Sequence, residues 1–298
     1  MQKFRLTLYT NYLNVMKKNS VFFLIIIFGS FLISGCKKKD NAPALPPANS
    51  MSIDFSNFSS GKKSAYIYPQ TKGVTTNVNW FLASTTAGFW NLLLTVNLVV
   101  PVAAFKKAIE TTPVYVNNNT WEWKFSVAPI GSTYNARLTG QVQTDSVKWK
   151  MYISKDVVDG VGAFAEFTWF TGTSALDGKS GQWILNYSQS FPEPMLQIDW
   201  SLTGNKVGSI KYTYIRALKD NRTTDLFRTS YIQYGLTTNT LDAFYNIHFN
   251  NSTTTSDFKD VYIEWSTTTH YGHIKALHYY QDSNWHCWDG TGLDVTCN

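Results

Sequence analysis

The stretch that decides the fold is WFLASTTAGFWNLLLTVNLVVPVAAFKKAI, residues 80–109. No charged side chain occurs between Lys72 and Lys106. Ser84, Gly88, Asn91 and Thr95 recur at spacings of 4, 3 and 4, the period of an α-helix, and apolar residues cover most of the remaining surface. A helix apolar nearly all round is expected to be buried. Pro101 disfavours helix at the residue before it and suits the first position of a new one. The stretch therefore reads as two helices with a break near residues 97–101. In the second, Val102, Phe105 and Ile109 share one face while Lys106, Lys107 and Glu110 point away. Two other readings stand beside this one. Residues 92–100, rich in Leu and Val, also suit a buried strand, and the whole run suits a membrane span interrupted by Asn91, Asn97 and Pro101.

Beyond Pro113 the hydrophobic period switches to two. Trp121, Trp123, Phe125 and Val127 alternate with Glu122, Lys124 and Ser126, and Val147, Trp149, Met151 and Ile153 alternate with Lys148, Lys150 and Ser154. Residues 136–142, 196–202, 241–249 and 261–265 repeat the pattern, and 164–171, 183–187, 209–216 and 226–234 are less one-sided strands; if 271–278 is a strand too, His270 and His278 share one parity and His273 takes the other. Clusters of Gly, Asn, Asp and Ser separate them, among them residues 131–132, 159–160, 177–181 and 250–252, and these read as hairpin turns. Gly172-Thr173-Ser174 reads as a turn as well. Residues 65–68 suggest a short first strand. The fold class is mainly β: a curled antiparallel meander of about eleven strands, an open or closed barrel, packed around an N-terminal apolar helical segment.

The chain before residue 80 reads as export signal and tether. Lys17 and Lys18 precede the apolar run 21–33, which ends in Ile33-Ser34-Gly35-Cys36. The run is short for a membrane span. Its ending resembles the signal of a bacterial lipoprotein, which implies cleavage before Cys36 and acylation of that cysteine. Met16 is the more natural start of such a signal than Met1. Residues 1–35 form the signal, 36–60 the acylated cysteine and a Pro/Ala/Asn/Ser-rich flexible tether, and 61–298 a single β-rich domain.

Charge excludes one class of partner. The chain carries a formal +6, but residues 1–35 contribute four basic side chains and no acid; without them 22 basic face 20 acidic groups, a net of +2. Nothing there suggests nucleic acid. Lys37, Lys38 and Lys39 lie beside the acylation site, where they suit an anionic lipid surface or simply a solvated linker. Cys287 and Cys297 are left as an expected disulfide, since an exported chain meets an oxidising compartment.

Chemical motifs are sparse. No GxSxG, Walker-type loop or HExxH occurs, so no catalytic residue is assigned. His248, His270, His273, His278 and His286 cluster late in the chain without a tight ligand pair, and no metal or other cofactor is expected. Of the five Glu residues, Glu166 and Glu264 sit in strands flanked by aromatics and are the least ordinary. The 11 Trp residues fall mostly on the apolar side of their strands and read as core. Trp90, Leu94 and Phe105 on the helical stretch, with Trp285 and Trp288 beside the disulfide, are the expected pocket residues.

The segments VPVAAFKKAIETTPVY (100–115), NTWEWKFSV (119–127), WKMYISKD (149–156), WFTGTSALDGKSGQW (169–183) and WHCWDG (285–290) resemble a family of uncharacterised lipoproteins of Bacteroidetes-type bacteria. That resemblance implies a lipid-anchored envelope protein and transfers no functional residue. In architecture alone, a curved sheet with helices in its mouth is similar to the LolA/LolB and LppX-type lipid carriers. Lys37 replaces the Asp that retains lipoproteins at the inner membrane, and KKKD lacks an acidic surface-export run. The resemblance therefore implies the periplasmic face of the outer membrane. The expected partners are the membrane, through Cys36, and a lipid or other hydrophobic small molecule. The expected activity is the binding of that molecule between sheet and helices; the alternative is a structural, interaction or glycan-binding lipoprotein with a filled core.

Overall fold

A computed structural model describes residues 41–53, 55–58, 76–129, 132–156, 162–204 and 206–297. The signal and Cys36 lie outside the described residues, as does the short strand expected at 65–68. Among the described residues, fourteen strands form one antiparallel sheet in strict chain order, each paired only with its sequence neighbours, so the meander is open and its first and last strands do not meet. They are β1 (Val114–Asn117), β2 (Thr120–Val127), β3 (Tyr134–Val142), β4 (Ser146–Lys155), β5 (Phe164–Ala175), β6 (Ser180–Asn186) and β7 (Pro194–Thr203). Then follow β8 (Lys206–Tyr214), β9 (Tyr231–Leu236), β10 (Ala243–Asn250), β11 (Phe258–Trp265), β12 (Gly272–Lys275), β13 (His286–Trp288) and β14 (Asp294–Val295). The ten segments read as strands overlap β2–β11, and the conditional strand 271–278 overlaps β12. The edge pieces β1, β13 and β14 are two to four residues long, too short to show a period. Residues 215–230, partly expected as strand, form an irregular loop, and β5 runs straight through Gly172-Thr173-Ser174.

Gly172 is a strand residue because of its neighbours. It lies opposite Trp149 on β4 and Trp183 on β6. Gly140 likewise faces Trp149, and Gly272 faces both Trp265 and Trp288. A Cβ on Gly140 would lie 2.5 Å from the Trp149 ring. The missing side chains let indole rings fold over the adjacent strand, which fills the concave face and permits the curl. Trp149 Nε1 donates to Ser174 Oγ at 2.9 Å, so a buried indole is satisfied within the same ladder.

The apolar stretch is one helix, α1 (Val78–Ile109), with Pro101 inside it. The expected break is absent. Proline removes one helical hydrogen bond and costs about 3 kcal/mol. Against this, Leu98, Val100, Pro101 and Phe105 are all buried, and each large apolar side chain buried contributes about 1.5–3 kcal/mol. The Asn97 side-chain amide also donates to Leu93 O at 2.7 Å, adding a local bond in the turn before the proline. Ala83, Ala87, Trp90, Leu94, Leu98, Pro101, Phe105 and Ala108 form the sheet-facing stripe, at steps of three and four.

The expectation of a wholly buried helix also fails. Phe89, Leu92 and Val96 point outward, next to the polar row of Ser84, Gly88, Asn91 and Thr95. The helix therefore carries three parallel stripes: apolar against the sheet, polar beside it, and apolar again toward the outside.

Residues 42–53 and 55–58 are not a free tether. Two 3₁₀ turns, Ala48–Met51 and Ser56–Phe58, pack on the concave face; Met51 and Phe58 are buried, and Ser50 Oγ accepts from Trp183 Nε1 at 3.3 Å. Ala42, Leu45, Ile53 and Phe55 lean on the same core. Pro and Ala suggested a linker because isolated apolar residues give no period; the large indole-lined concavity supplies their partners. The compact unit is Ala42–Asn298.

The chain's end fixes the helix's start. Asp294 on β14 accepts hydrogen bonds from the Val78 and Asn79 backbone N–H groups, both at 3.0 Å, and from the Thr76 hydroxyl. Asn79 Nδ2 donates to Cys287 O at 3.0 Å, and the Tyr280 hydroxyl donates to Asn79 Oδ1 at 2.8 Å. Cys287 and Cys297 are joined by a disulfide with Cα atoms 5.3 Å apart. The bridge closes the short loop that carries Asp294.

Candidate functional site

Two clefts flank α1. The first, about 700 Å³ and partly open, lies between one side of the helix and one rim of the sheet. Thr86, Phe89, Trp90, Leu93 and Asn97 wall it from the helix. Opposite them stand Tyr187, Met195, Leu196, Tyr214 and Phe249, at the ends or starts of β6, β7, β8 and β10, with Phe227 from the loop 215–230. Among the described residues, no lining side chain is charged. The walls are apolar and aromatic, and polar groups gather at one end: Ser230, Asn250, Asn251, Ser252 and Thr253. That volume is in the range of ordinary small-molecule sites.

The polar end is built by local hydrogen bonding. Asn250 is buried at the end of β10. Its Nδ2 donates to the carbonyls of Leu226, Ser252 and Thr255, and its Oδ1 accepts from the Ser252 and Asp257 N–H groups. One side chain thus ties the loop 215–230 to the turn after β10. A buried amide is tolerated only when its bonds are made.

Behind Tyr187 lies an ion cluster. Arg216 is buried, bonded to Glu193 at 3.0 Å and Asp220 at 2.5 Å, and its guanidinium stacks 3.6 Å from the Tyr187 ring centre. Burial by itself would lower the Arg216 pKa, but the two carboxylates outweigh it and raise it. The Tyr214 hydroxyl donates to Asp225 at 2.8 Å; burial, then that carboxylate, push the phenol's pKa up, so it stays protonated. Arg216 is engaged by both carboxylates and does not line the cleft. The chamber therefore offers neutral contacts, and the charges serve to hold its wall.

The second cleft, about 340 Å³, lies on the other side of α1, between Leu94, Leu98 and Val102 of the helix and Met51, Ile53 and Phe55 of the N-terminal segment. Asn91, Thr95 and Lys106 also line it.

The five expected pocket residues are thereby separated. Trp90 lines the first cleft and Leu94 the second. Phe105 is buried in the helix–sheet seam, 5.1 Å from the Trp183 ring and 6.5 Å from Phe170, and lines neither. Trp285 stacks on His273 at 3.7 Å, and Trp288 is buried, with Nε1 donating to His270 O; both lie at the disulfide end, away from the clefts. Sequence reasoning missed Met195, Leu196, Phe227 and Phe249. They sit at strand ends or in a loop, and only the curl of the sheet aims them at α1.

The histidines and acids pair locally. His248 bonds Asp260 at 2.7 Å, His273 bonds Glu264 at 3.0 Å and His286 bonds Asp282 at 3.1 Å. Glu166 bonds Arg137 at 2.7 Å, and β5 and β11, which carry Glu166 and Glu264, have five strands between them. Among the described residues no group of three or more His, Cys, Asp or Glu is placed to hold a metal ion.

Comparison with known protein families, with curated proteins and with solved structures finds no match to this chain. The functional reading therefore rests on the cleft itself.

Proposed function

We propose that this protein is a lipid-anchored envelope lipoprotein, tethered through Cys36 at the periplasmic face of the outer membrane, that binds a hydrophobic ligand in the first cleft. The observation that carries the reading is the uncharged, aromatic-walled chamber of about 700 Å³ between α1 and the sheet rim. A sheet plugged by its helix would leave no such space. Here large side chains fill the seam beneath Trp90, Leu94 and Phe105, and the space remains at the flank. An apolar body with one uncharged polar end matches the walls and the Asn250–Thr253 end. Transfer of apolar surface from water supplies the driving force, about 25 cal/mol per Å².

Organic extraction of protein purified from its own cells, followed by mass spectrometry, tests the reading directly. A recurrent stoichiometric lipid or other apolar compound is expected. In parallel, a fluorescent fatty acid is titrated against the protein and against Leu93→Trp, which narrows the chamber from the helix side. At least a tenfold weaker binding is expected for the variant. An empty extract together with no saturable uptake refutes ligand binding.

A further inference from the structure

The outward stripe of α1 is left exposed by the packing of the helix on the sheet. Phe89, Leu92 and Val96 are 61%, 65% and 67% exposed. Single exposed apolar residues are ordinary, but three in helical register on one uncharged face form a patch, and such patches mark interaction sites. By length and composition α1 is apolar enough to cross a membrane. Its other face, from Ala83 to Ala108, is buried on the sheet, so the helix lies flat on the unit.

We propose that this face of α1 seats on the surface of a phospholipid bilayer, with the mouth of the first cleft turned toward the lipid. The proposal rests on the lipid-anchored reading above. Three further observations select a bilayer as occupant. First, the N-terminal segment that precedes the helix lies along its flank, where Met51, Ile53 and Phe55 wall the second cleft. Cys36 is only six residues before Ala42, and six extended residues reach no more than about 20 Å. The anchor thus holds the unit close to the membrane. Second, residues 55–109 contain no acidic side chain, so anionic headgroups meet no like charge along the stripe; at the helix end Lys107 is paired with Glu110 at 2.9 Å, which leaves Lys106 as the cation there. Third, Phe89 belongs both to the stripe and to the lining of the first cleft. A helix of this kind rests at the headgroup boundary, its apolar side chains about 5–10 Å deep. A ligand then passes between bilayer and cleft along Phe89 without crossing water.

The test uses the full acylated protein in vesicles of phosphatidylethanolamine and phosphatidylglycerol. Leu92→Cys, Val96→Cys and, on the opposite side of the sheet, Lys148→Cys are spin-labelled; all three positions are exposed, so folding is spared. Labels at 92 and 96 are expected to collide severalfold more with membrane-dissolved oxygen than with a water-soluble nickel chelate, and the label at 148 to show the reverse. Equal nickel access at 92 and 148 overturns the proposal. Spin–spin broadening at 92 that disappears on dilution with unlabelled protein also overturns it, because a second copy then covers the face. A Cys36 without acyl groups removes the reading on which the proposal rests. Lipid-shielded labels with an empty, non-binding cleft refute the ligand and leave the seating intact; exposed labels with a bound ligand do the opposite.

Discussion

Replacing Asp294 with Ala removes the only carboxylate bonded to the start of α1 among the described residues. Asn77, the residue before the helix, makes no side-chain capping bond. The first N–H groups of any helix lack partners within it. Here Val78 and Asn79 find theirs on a side chain 216 and 215 residues away. Loss of a capping side chain costs about 0.5–2 kcal/mol. Loss of a negative charge at the positive end of the helix adds about 0.3–1 kcal/mol. Asp294 is half-buried, so neither contribution is fully screened, and a destabilisation of about 2 kcal/mol is expected. For a domain of this size that lowers Tm by about 4–8 °C. Asp294→Asn keeps one carbonyl acceptor and drops the charge, so about half the loss is expected. Urea unfolding followed by tryptophan fluorescence reads both variants, with the slope unchanged if only the native state is affected. A midpoint for Asp294→Ala within about 0.5 kcal/mol of the parent, or equal losses for Ala and Asn, would refute the capping argument. Because the helix walls both clefts, ligand uptake should weaken in parallel with this loss.

Reduction of the Cys287–Cys297 bridge should cost about 3 kcal/mol from the freed ten-residue separation, read as a shift in urea midpoint with and without reductant. In Asp294→Ala the same reduction should cost less, since the bridge and the cap act on one loop; full additivity would show them independent. Gly140→Ala should destabilise by about 1–3 kcal/mol, because its Cβ meets the Trp149 ring, and Gly140→Ala with Trp149→Leu should recover part of that by calorimetry. Burial holds His273 and His278 below the usual histidine pKa, despite Glu264 beside His273 and Asp257 near His278. The unfolded chain then binds protons first, so stability should fall as pH drops below about 6.5. Urea midpoints from pH 7.5 to 5.5 should show that slope, flattened in His273→Gln with His278→Gln; an unchanged slope would assign it elsewhere.

Much of the architecture is legible in the chain because period-two alternation survives wherever one strand face is buried and the other wet. Trp121–Trp123–Phe125 and Val147–Trp149–Met151 carry that signal plainly. It fades in β13 and β14, where two or three residues cannot show a period, and in β5, where Gly172 mimics a turn until the indole above it is known. The first cleft was half legible. Trp90 was readable from its place on the helix, but Leu196, Phe227 and Phe249 come from three separate parts of the chain.

The sequence by itself determined that a strongly apolar helical segment precedes an antiparallel meander, and that Cys287 and Cys297 are available to each other. Only the tertiary structure decided what the apolar segment does. Proline chemistry argued for a break at residue 101; burial of Leu98, Val100, Pro101 and Phe105 outweighed it and kept the helix whole. Composition argued for complete burial; a sheet that stays open covers one side of a helix, and the opposite side keeps Phe89, Leu92 and Val96 in view. Local propensity is set by each residue and its near neighbours. Which face of a helix meets a partner is set by the curvature of strands far along the chain.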